Sequence, residues 1–499
     1  MVSPDFHAPP DLHVCEQARL SRDARFDGLF FTAVTSTGIY CRPVCPAPAP
    51  KPRNIVYYRH AAGAEAAGFR PCLRCRPELA PGDGSWRRGD ETVARALKLI
   101  DQGVLGEAPL AALAGKVGLG ERQLRRLFSD RLGVTPMEVH GTRRLLFAKQ
   151  LLTETALPIT QVALAAGFGS LTRFNTTFRE EYRMAPRDLR KRTALPAGEV
   201  MTLRLGYRPP YDFTAMLDFL RGRALPGVEN VDAESYSRVI GNGDSAGWLR
   251  VSRWEGDAET HALELQLHGV DPAQLLGIVN RLRRMFDLDA DPQAIAKALG
   301  EDARLRPLLK KNPGLRLPSG WDGFEIAVRA VVGQQVSVAA ARTLTARLAQ
   351  HHGTTLETPF EPGLTHLFPT PEALVDVDLT RIGLTRARAS TISGLSRALL
   401  EGRVDFQPER TLEDFTARWV ALPGIGPWTA NYIALRATGH PDAFPADDLV
   451  LQKAVPTDGS RMTARVLSAR AEAWRPWRAY AVIQLWRDSM PTPKPTTKQ

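Results

Sequence analysis

Four of the five cysteines in this 499-residue chain lie between positions 41 and 75. They read Cys41-Arg42-Pro43-Val44-Cys45 and Cys72-Leu73-Arg74-Cys75, a C-x3-C and a C-x2-C pair separated by 26 residues. Two close thiol pairs across a loop are the ligand pattern of a tetrahedral Zn–S4 site. Scattered buried thiols would not pair up in this way. Two disulfides are the other alternative, but the chain carries no signal peptide and is otherwise poor in cysteine, which points to a reducing cytosol. The spacing therefore predicts one zinc ion. Zinc keeps its sulfurs deprotonated, and four thiolates on one dication leave a surplus of negative charge and electron-rich sulfur. Such a centre is either purely structural or a nucleophile toward alkyl electrophiles; spacing alone leaves both open.

A second chemical group lies near the other end. Leu422-Pro423-Gly424-Ile425-Gly426-Pro427-Trp428-Thr429-Ala430 reads as a helix–hairpin–helix. Gly424 and Gly426 let the backbone turn sharply and leave amide N–H groups at the start of the next helix, where a phosphate can bind. About twenty residues further on, Phe444-Pro445-Ala446-Asp447-Asp448-Leu449 supplies two carboxylates. A hairpin followed at that distance by an aspartate resembles the helix–hairpin–helix DNA glycosylase superfamily, and the resemblance implies an aspartate at the mouth of a cleft beside the anchored strand.

Between these groups, residues 91–192 are rich in helix formers broken at short intervals. Leu110–Val117 reads as a short helix, Gly118-Leu119-Gly120 as a turn and Glu121–Leu132 as a second helix. The second helix carries Arg122, Gln123, Arg125 and Arg126 beside apolar Leu124, Leu127 and Phe128. The pattern recurs with Ile159–Ala166, Gly167-Phe168-Gly169 and Ser170–Tyr182, where Thr172, Arg173, Asn175 and Thr176 face outward and Leu171, Phe174 and Phe178 inward. The second unit resembles the AraC-family DNA-binding domain, and the resemblance implies that Met137–Thr153 is a long helix joining the two. Each unit is a helix-turn-helix whose second helix can lie in a major groove. Arginine and asparagine there can read base edges, and some will touch only phosphates.

Charge supports the same assignment. Residues 1–200 hold 29 Lys+Arg against 20 Asp+Glu, whereas residues 201–499 hold 36 against 34. The basic surplus thus sits with the predicted DNA-binding segments. The length implies several domains, and no apolar run could cross a bilayer. Segments 80–85 and 190–198 read as linkers, and Pro491–Gln499 has almost nothing to bury.

The cysteine segment resembles a known family. Thr37-Gly38-Ile39-Tyr40-Cys41-Arg42-Pro43-Val44-Cys45 and Ala67-Gly68-Phe69-Arg70-Pro71-Cys72-Leu73-Arg74-Cys75 look like the N-terminal domain of the Ada alkylation-response regulators. The resemblance implies that Cys41 takes a methyl group from a DNA methylphosphotriester while Cys45, Cys72 and Cys75 hold the zinc with it. Thr37, Lys51, Arg53 and Arg70 become the expected backbone contacts. Ile159-Thr160-Gln161-Val162-Ala163, Arg173-Phe174-Asn175-Thr176-Thr177-Phe178 and Ala185-Pro186 resemble the AraC-family DNA-binding domain. Residues 201–488 resemble the AlkA 3-methyladenine DNA glycosylases of the helix–hairpin–helix superfamily. Phe213–Leu220, Arg329–Val338 and Trp474–Ala481 carry the match. It implies that Asp448 is catalytic with Asp447 assisting, that Trp428, Tyr432 and Trp486 line the pocket for a flipped base, and that Gln335 stands at the wedge position.

An N3- or N7-alkylated purine is cationic and leaves as a neutral base, so the sugar, which develops oxocarbenium character, is what needs stabilising. The base must first leave the stack, and electron-rich aromatic faces attract a cationic ring. Trp428 stands where bifunctional relatives carry lysine, so no Schiff base and no strand cleavage are expected. No cysteine follows Cys75, which excludes the iron–sulfur cluster of other relatives. Three departures from the families matter. The wedge residue is polar Gln335, which either hydrogen-bonds the orphan base or yields the role to a neighbour. The residues after Cys45 are proline-rich. No Pro-Cys-His-Arg nucleophile follows the AraC-like block, so O6-methylguanine repair is not expected.

The expected architecture is multidomain and mainly α. A small α+β zinc domain (1–80) precedes an AraC-type double helix-turn-helix (86–192). An α+β glycosylase subdomain (200–312), all-α helix–hairpin–helix subdomains (313–490) and a disordered tail (491–499) follow. Sensor and glycosylase are expected to be separable across polar linkers. The expected partners are double-stranded DNA, both alkylated and promoter, and RNA polymerase, with no membrane. The chain is expected to be a monomer in the bacterial cytoplasm, on the nucleoid. Two other readings fit the same residues. One is a glycosylase whose N-terminal domains serve only as a DNA tether; the other is a regulator whose C-terminal half binds DNA without catalysis.

Overall fold

The computed structural model describes residues 11–82, 91–101, 103–190, 200–242, 245–257, 259–357, 363–407, 411–456 and 460–489. The expected disordered tail, half of the expected linker 80–85 and nearly all of the linker 190–198 lie outside these residues.

The first unit is a four-stranded sheet, β1 (Phe31–Val34), β2 (Ile39–Cys41), β3 (Ile55–Tyr58) and β4 (Arg70–Pro71), in the order β3-β1-β2-β4. β2 and β4 pair in parallel, Ile39 with Arg70 and Tyr40 with Pro71. Cys41 and Cys72 therefore emerge side by side from the same end of two neighbouring strands. The Cys72 amide donates to the Tyr40 carbonyl at 2.9 Å, which locks that register.

The helical block follows the sequence pattern closely. Helices Leu110–Lys116 and Glu121–Leu132 form the first helix-turn-helix, and Ile159–Ala165 and Leu171–Tyr182 the second. Gly118 and Gly167 adopt φ of +76° and +77° in the turns, a conformation in which other residues are strained. The connecting helix, Pro136–Glu154, starts at a capping box formed by Thr135 and Glu138. Phe174, Phe178 and Tyr182, spaced one helical turn apart, are buried. Leu171 is not. It occupies the first helical position, past the end of the bundle, and is 40% exposed beside Thr172 and Arg173. The helical period placed it inside; the end of the bundle decides otherwise.

The remaining residues form a five-stranded antiparallel sheet and an all-helical body. The sheet comprises β5 (Met201–Gly206), β6 (Glu229–Val231), β7 (Ser235–Asn242), β8 (Ser245–Arg253) and β9 (Ala262–His268), in the order β5-β9-β8-β7-β6. Alternating Leu203, Leu205, Leu249, Val251, Leu263, Leu265 and Leu267 give it an apolar face shared with helices Phe213–Arg221 and Leu275–Met285. The helical body packs around Trp419 and Trp474, both almost wholly buried.

The sensor and glycosylase are not beads on linkers. The apolar core of the second helix-turn-helix, including Leu151, Phe174 and Phe178, is continuous with that of the sheet. Helix Pro136–Glu154 lies between the units as an axle. Arg76, next to Cys75, pairs with Glu78 and Glu154, both at 3.0 Å, and Glu154 also pairs with Arg204 of β5 at 2.6 Å. Lys149 pairs with Glu78. Arg208 is fully buried and donates to the carbonyl oxygens of Asp27 at 2.8 Å, Asp289 at 2.8 Å and Gly82. A buried arginine satisfied by carbonyls of two units is costly to separate. The units are thus packed against one another as well as joined by the linkers. A cavity of about 590 Å³ remains where the units meet, lined by His60, Lys98, His140, Arg143, Arg281 and Asp289 among others.

One junction carries a pH signature. Glu65 is buried between units and accepts from Tyr40 at 2.9 Å and from Thr142 of the long helix at 2.6 Å. Burial pushes its carboxyl up to about 7, against the lowering effect of the two hydrogen bonds. A carboxyl raised on folding binds its proton more tightly in the native state, so its contribution to stability is present below about pH 4.5 and lost as pH rises through about 7. Glu65→Gln stays neutral throughout. The stability of the native protein relative to Glu65→Gln should therefore fall by on the order of 3 kcal/mol between these limits. Denaturant titrations of both proteins at pH 4.5 and 8 check this; a difference that does not change with pH contradicts it.

Candidate functional site

Three sites emerge from these elements. In the first, the Sγ atoms of Cys41, Cys45, Cys72 and Cys75 lie within 4.8 Å of one another. Tetrahedral Zn–S bonds of about 2.3 Å place sulfurs about 3.8 Å apart, so the four thiols fit one zinc ion with little adjustment. Backbone amides back the sulfurs, Arg42 donating to Cys75 Sγ at 3.3 Å and Arg74 to Cys72 Sγ at 3.4 Å. The Arg42 guanidinium is fixed by Asp27 at 2.9 Å and by the Cys75 carbonyl at 2.9 Å. Cys72 and Cys75 are buried, while Cys41 and Cys45 are partly exposed. An electrophile can therefore reach only the first pair. Cys15, the fifth cysteine, is fully buried and its thiol is pushed up to about 12 by burial, with Asp11 adding to the effect, so it is inert. Around the centre, Thr37, Lys51 and Arg53 are exposed and Arg70 is half-buried. None of the three cations has an acidic partner among the described residues.

The second site is the outer face of the helix-turn-helix pair. Arg122, Gln123, Arg125, Arg126, Thr172, Arg173 and Thr176 are exposed and Asn175 is half-buried. Arg125 leans on Glu121 at 2.9 Å and Arg126 on Asp130 at 3.8 Å; exposed pairs of this kind are weak and yield to phosphate. Arg144 donates to the Ala166 and Gly167 carbonyls at 2.8 and 2.6 Å and lies over the Phe168 ring, which braces the second turn.

The third site is a carboxylate among aromatics. The hairpin Leu422–Gly426 joins helices Leu412–Val420 and Pro427–Thr438. Gly424 has φ of +84°, and a Cβ there would meet Thr391 Oγ1 at 2.0 Å; only glycine fits. Gly426 is under no such demand and serves as the bare cap of the following helix. Neither glycine amide has an acceptor among the described residues. Asp448 caps helix Leu449–Ala454. Its Oδ1 accepts from the Val450 and Leu451 amides at 3.0 and 3.1 Å and from the Trp486 indole at 3.3 Å; its Oδ2 accepts from the Trp428 indole at 3.1 Å. Oδ1 is saturated, and Oδ2 keeps a lone pair that can face a cation. Trp428 stacks on Tyr432 with ring centroids 5.1 Å apart, and Trp486 lies 6.3 Å from Tyr432. Burial alone would raise the Tyr432 phenol, but the Arg436 and Arg223 guanidiniums overcome it and hold the phenol below its ordinary value. None of these residues lines the cavity between the units.

Family comparisons agree with this division. The metal-binding domain of Ada matches residues 14–78, a helix-turn-helix domain 113–192, the AlkA N-terminal domain 202–322 and the HhH-GPD superfamily of base excision DNA repair proteins 328–479. A Mycobacterium tuberculosis protein described as a probable bifunctional transcriptional activator/DNA repair enzyme AlkA is 38% identical over 482 residues, spanning 95% of this chain and 96% of that protein. The chain belongs to this bifunctional Ada–AlkA family. Two Escherichia coli proteins match its parts. DNA-3-methyladenine glycosylase 2 is 37% identical over 286 residues, which is 56% of this chain and 95% of that protein. The bifunctional transcriptional activator/DNA repair enzyme Ada is 43% identical over 122 residues, 24% of this chain and 32% of that protein.

Within this Ada–AlkA frame, the structure brings together all four predicted zinc ligands, and Asp448 with all three predicted pocket aromatics. Asp447 is different. It is exposed, and its side chain makes no hydrogen bond or ion pair among the described residues. Gln335 lies at the exposed tip of the turn between helices Gly323–Val332 and Val338–His352 with φ of +55°. That conformation costs a non-glycine residue on the order of 1 kcal/mol. Sequence reasoning missed Gln334, Arg388, Arg223 and Arg436. The last stands one helical turn after Tyr432, a spacing that could have flagged it; Gln334 adjoins Gln335, and Arg388 and Arg223 come from distant segments.

Proposed function

We propose that Cys41 is the methyl acceptor and Asp448 the catalytic carboxylate of one chain that senses DNA alkylation, activates transcription and excises alkylated bases. The observation that carries this is the pairing of a half-exposed four-thiol centre with a carboxylate held by two indoles beside a phosphate-binding hairpin. The bound zinc would keep the four cysteines as thiolates. Cys41 sulfur attacks the methyl carbon of a methylphosphotriester, the C–O bond breaks, and the phosphodiester anion leaves. The sulfur becomes a thioether and the centre loses one negative charge. Repulsion toward the DNA backbone drops, and since backbone electrostatics dominate such binding, promoter affinity rises. Arg122, Gln123, Arg125, Arg126, Thr172, Arg173, Asn175 and Thr176 then meet the promoter. Binding as a monomer next to RNA polymerase completes the activator role. No helix among the described residues is long and apolar enough to cross a membrane, and we place the protein in the cytoplasm, on DNA.

In the excision reaction, the Gly424 and Gly426 amides anchor a phosphate and Gln335 takes the place of the flipped nucleotide. Trp428, Tyr432 and Trp486 receive the base. Two guanidiniums stand behind Tyr432, so attraction for a cationic base falls mainly to the indoles. The free lone pair of Asp448 Oδ2 stabilises the sugar cation as the neutral base departs, and water completes the hydrolysis. With Trp428 in place of an amine nucleophile, the product is an intact abasic strand. Incubating the chain with a duplex carrying one alkylated purine, with and without borohydride, tests the excision. The account expects free base, an uncut abasic strand and no trapped protein–DNA adduct; an adduct contradicts it. A reporter behind the chain's own promoter tests activation. Induction by a methylating agent is expected, and an unchanged reporter leaves the N-terminal units as a DNA tether only.

A further inference from the structure

The turn that carries Gln335 is fastened to the phosphate-binding hairpin, and the fastening runs through one side chain. Gln334 is half-buried, directly before the strained residue. Its Nε2 donates to the Gly424 carbonyl at 2.9 Å and to Thr429 Oγ1 at 3.1 Å. The first acceptor belongs to the hairpin tip and the second to the opening turn of the helix behind it. The Gln334 carbonyl in turn accepts from the Arg388 guanidinium, which comes from a third helix, Arg386–Leu400. The same helix supplies Thr391, on which Gly424 sits without room for a Cβ. The wedge turn, the hairpin and this helix thus meet at three points, and both amide hydrogens of Gln334 are used in holding them together.

We infer that Gln334, held by Arg388, is a positioning residue that fixes the distance between the phosphate anchor and the wedge, so that Gln335 enters the duplex at one nucleotide only. The inference rests on the glycosylase reading above. The physical reason is register. The hairpin amides grip the backbone at a fixed phosphate, and the extruded nucleotide is set by how far the wedge stands from that grip. A left-handed residue at an exposed tip holds its place only if its surroundings over-determine it. Here the residue before it is hydrogen-bonded on both sides. Gln334 does not touch the base or the sugar in this arrangement; it acts through Gln335 and Gly424.

The role separates flipping from chemistry, and two substrates distinguish them. One is a duplex with an alkylated purine in a normal pair; the other carries the same lesion opposite an abasic-site analogue, where no pair must be opened and no orphan base remains. Gln334→Ala and Gln334→Glu, the second nearly isosteric but unable to donate to the Gly424 carbonyl, should slow single-turnover excision from the paired duplex by about tenfold or more. Excision from the unpaired lesion should change by less than about threefold. Arg388→Ala, which removes the donor to the Gln334 carbonyl, should show the same split, with the larger loss on the paired duplex. Equal losses on the two substrates would show a merely structural role and overturn the inference, as would undiminished excision from the paired duplex by either Gln334 variant. If the native chain excises neither lesion, the glycosylase reading itself fails.

Discussion

Asp448→Asn is expected to slow excision of 3-methyladenine by roughly a hundred- to a thousand-fold, the scale of a lost electrostatic stabiliser worth about 3–4 kcal/mol. Two effects combine. The substitution removes the negative charge that faces the developing oxocarbenium ion. It also disturbs the local hydrogen bonds. Asn Oδ1 can still accept from the Val450 and Leu451 amides and the Trp486 indole, but its amide nitrogen then opposes the Trp428 indole, a donor facing a donor. DNA binding through the Gly424–Gly426 hairpin should persist, because no backbone group there depends on Asp448. Asp447→Asn should cost less, since the Asp447 side chain is exposed and makes no hydrogen bond or ion pair among the described residues. Single-turnover assays on a duplex with one alkylated purine measure both. Near-normal excision by Asp448→Asn would remove it from the catalytic role, and a loss with Asp447→Asn as large as with Asp448→Asn would reverse the assignment.

Cys41→Ala should abolish methyl acceptance completely and weaken zinc binding, leaving three thiolates and one open position. It should also abolish induced promoter binding, because the charge change that drives it cannot occur. Glycosylase activity should survive, since Asp448 and its aromatics lie on other elements. The structure names the competitor explicitly: Cys45, like Cys41, is partly exposed, whereas Cys72 and Cys75 are buried. Labelled methyl transferred to Cys45 in the Cys41→Ala protein would show that the acceptor was misassigned.

Much of this arrangement could be read from the chain because its signals are local. Two thiol pairs, two repeated helix–turn–helix patterns and a glycine hairpin are each set within a few residues of sequence, and each appears where its spacing placed it. Long-range features were less legible. The parallel pairing of β2 with β4, which sets Cys41 beside Cys72, depends on strands only two or three residues long. Trp486 reads as core in an apolar helix; its indole hydrogen bond to Asp448 across 38 residues of sequence is what gives it a site role. Arg208 and Glu154 look like ordinary surface charges, yet each side chain is buried at a junction between units. Leu171 fits the helical period and still faces out, because periodicity says nothing about where a bundle ends. Gln334 carried no signal, since its importance rests on a backbone angle at its neighbour and on a hairpin ninety residues away.

The claim that one chain couples an alkylation sensor to repair is tested most directly by peptide mass spectrometry after incubation with methylated duplex DNA. The account predicts a single added methyl group on the peptide containing Cys41, at one per protein molecule, with Cys45, Cys72 and Cys75 unmodified. A protein that leaves this reaction unmethylated, or carries its methyl group on any other residue, would contradict it.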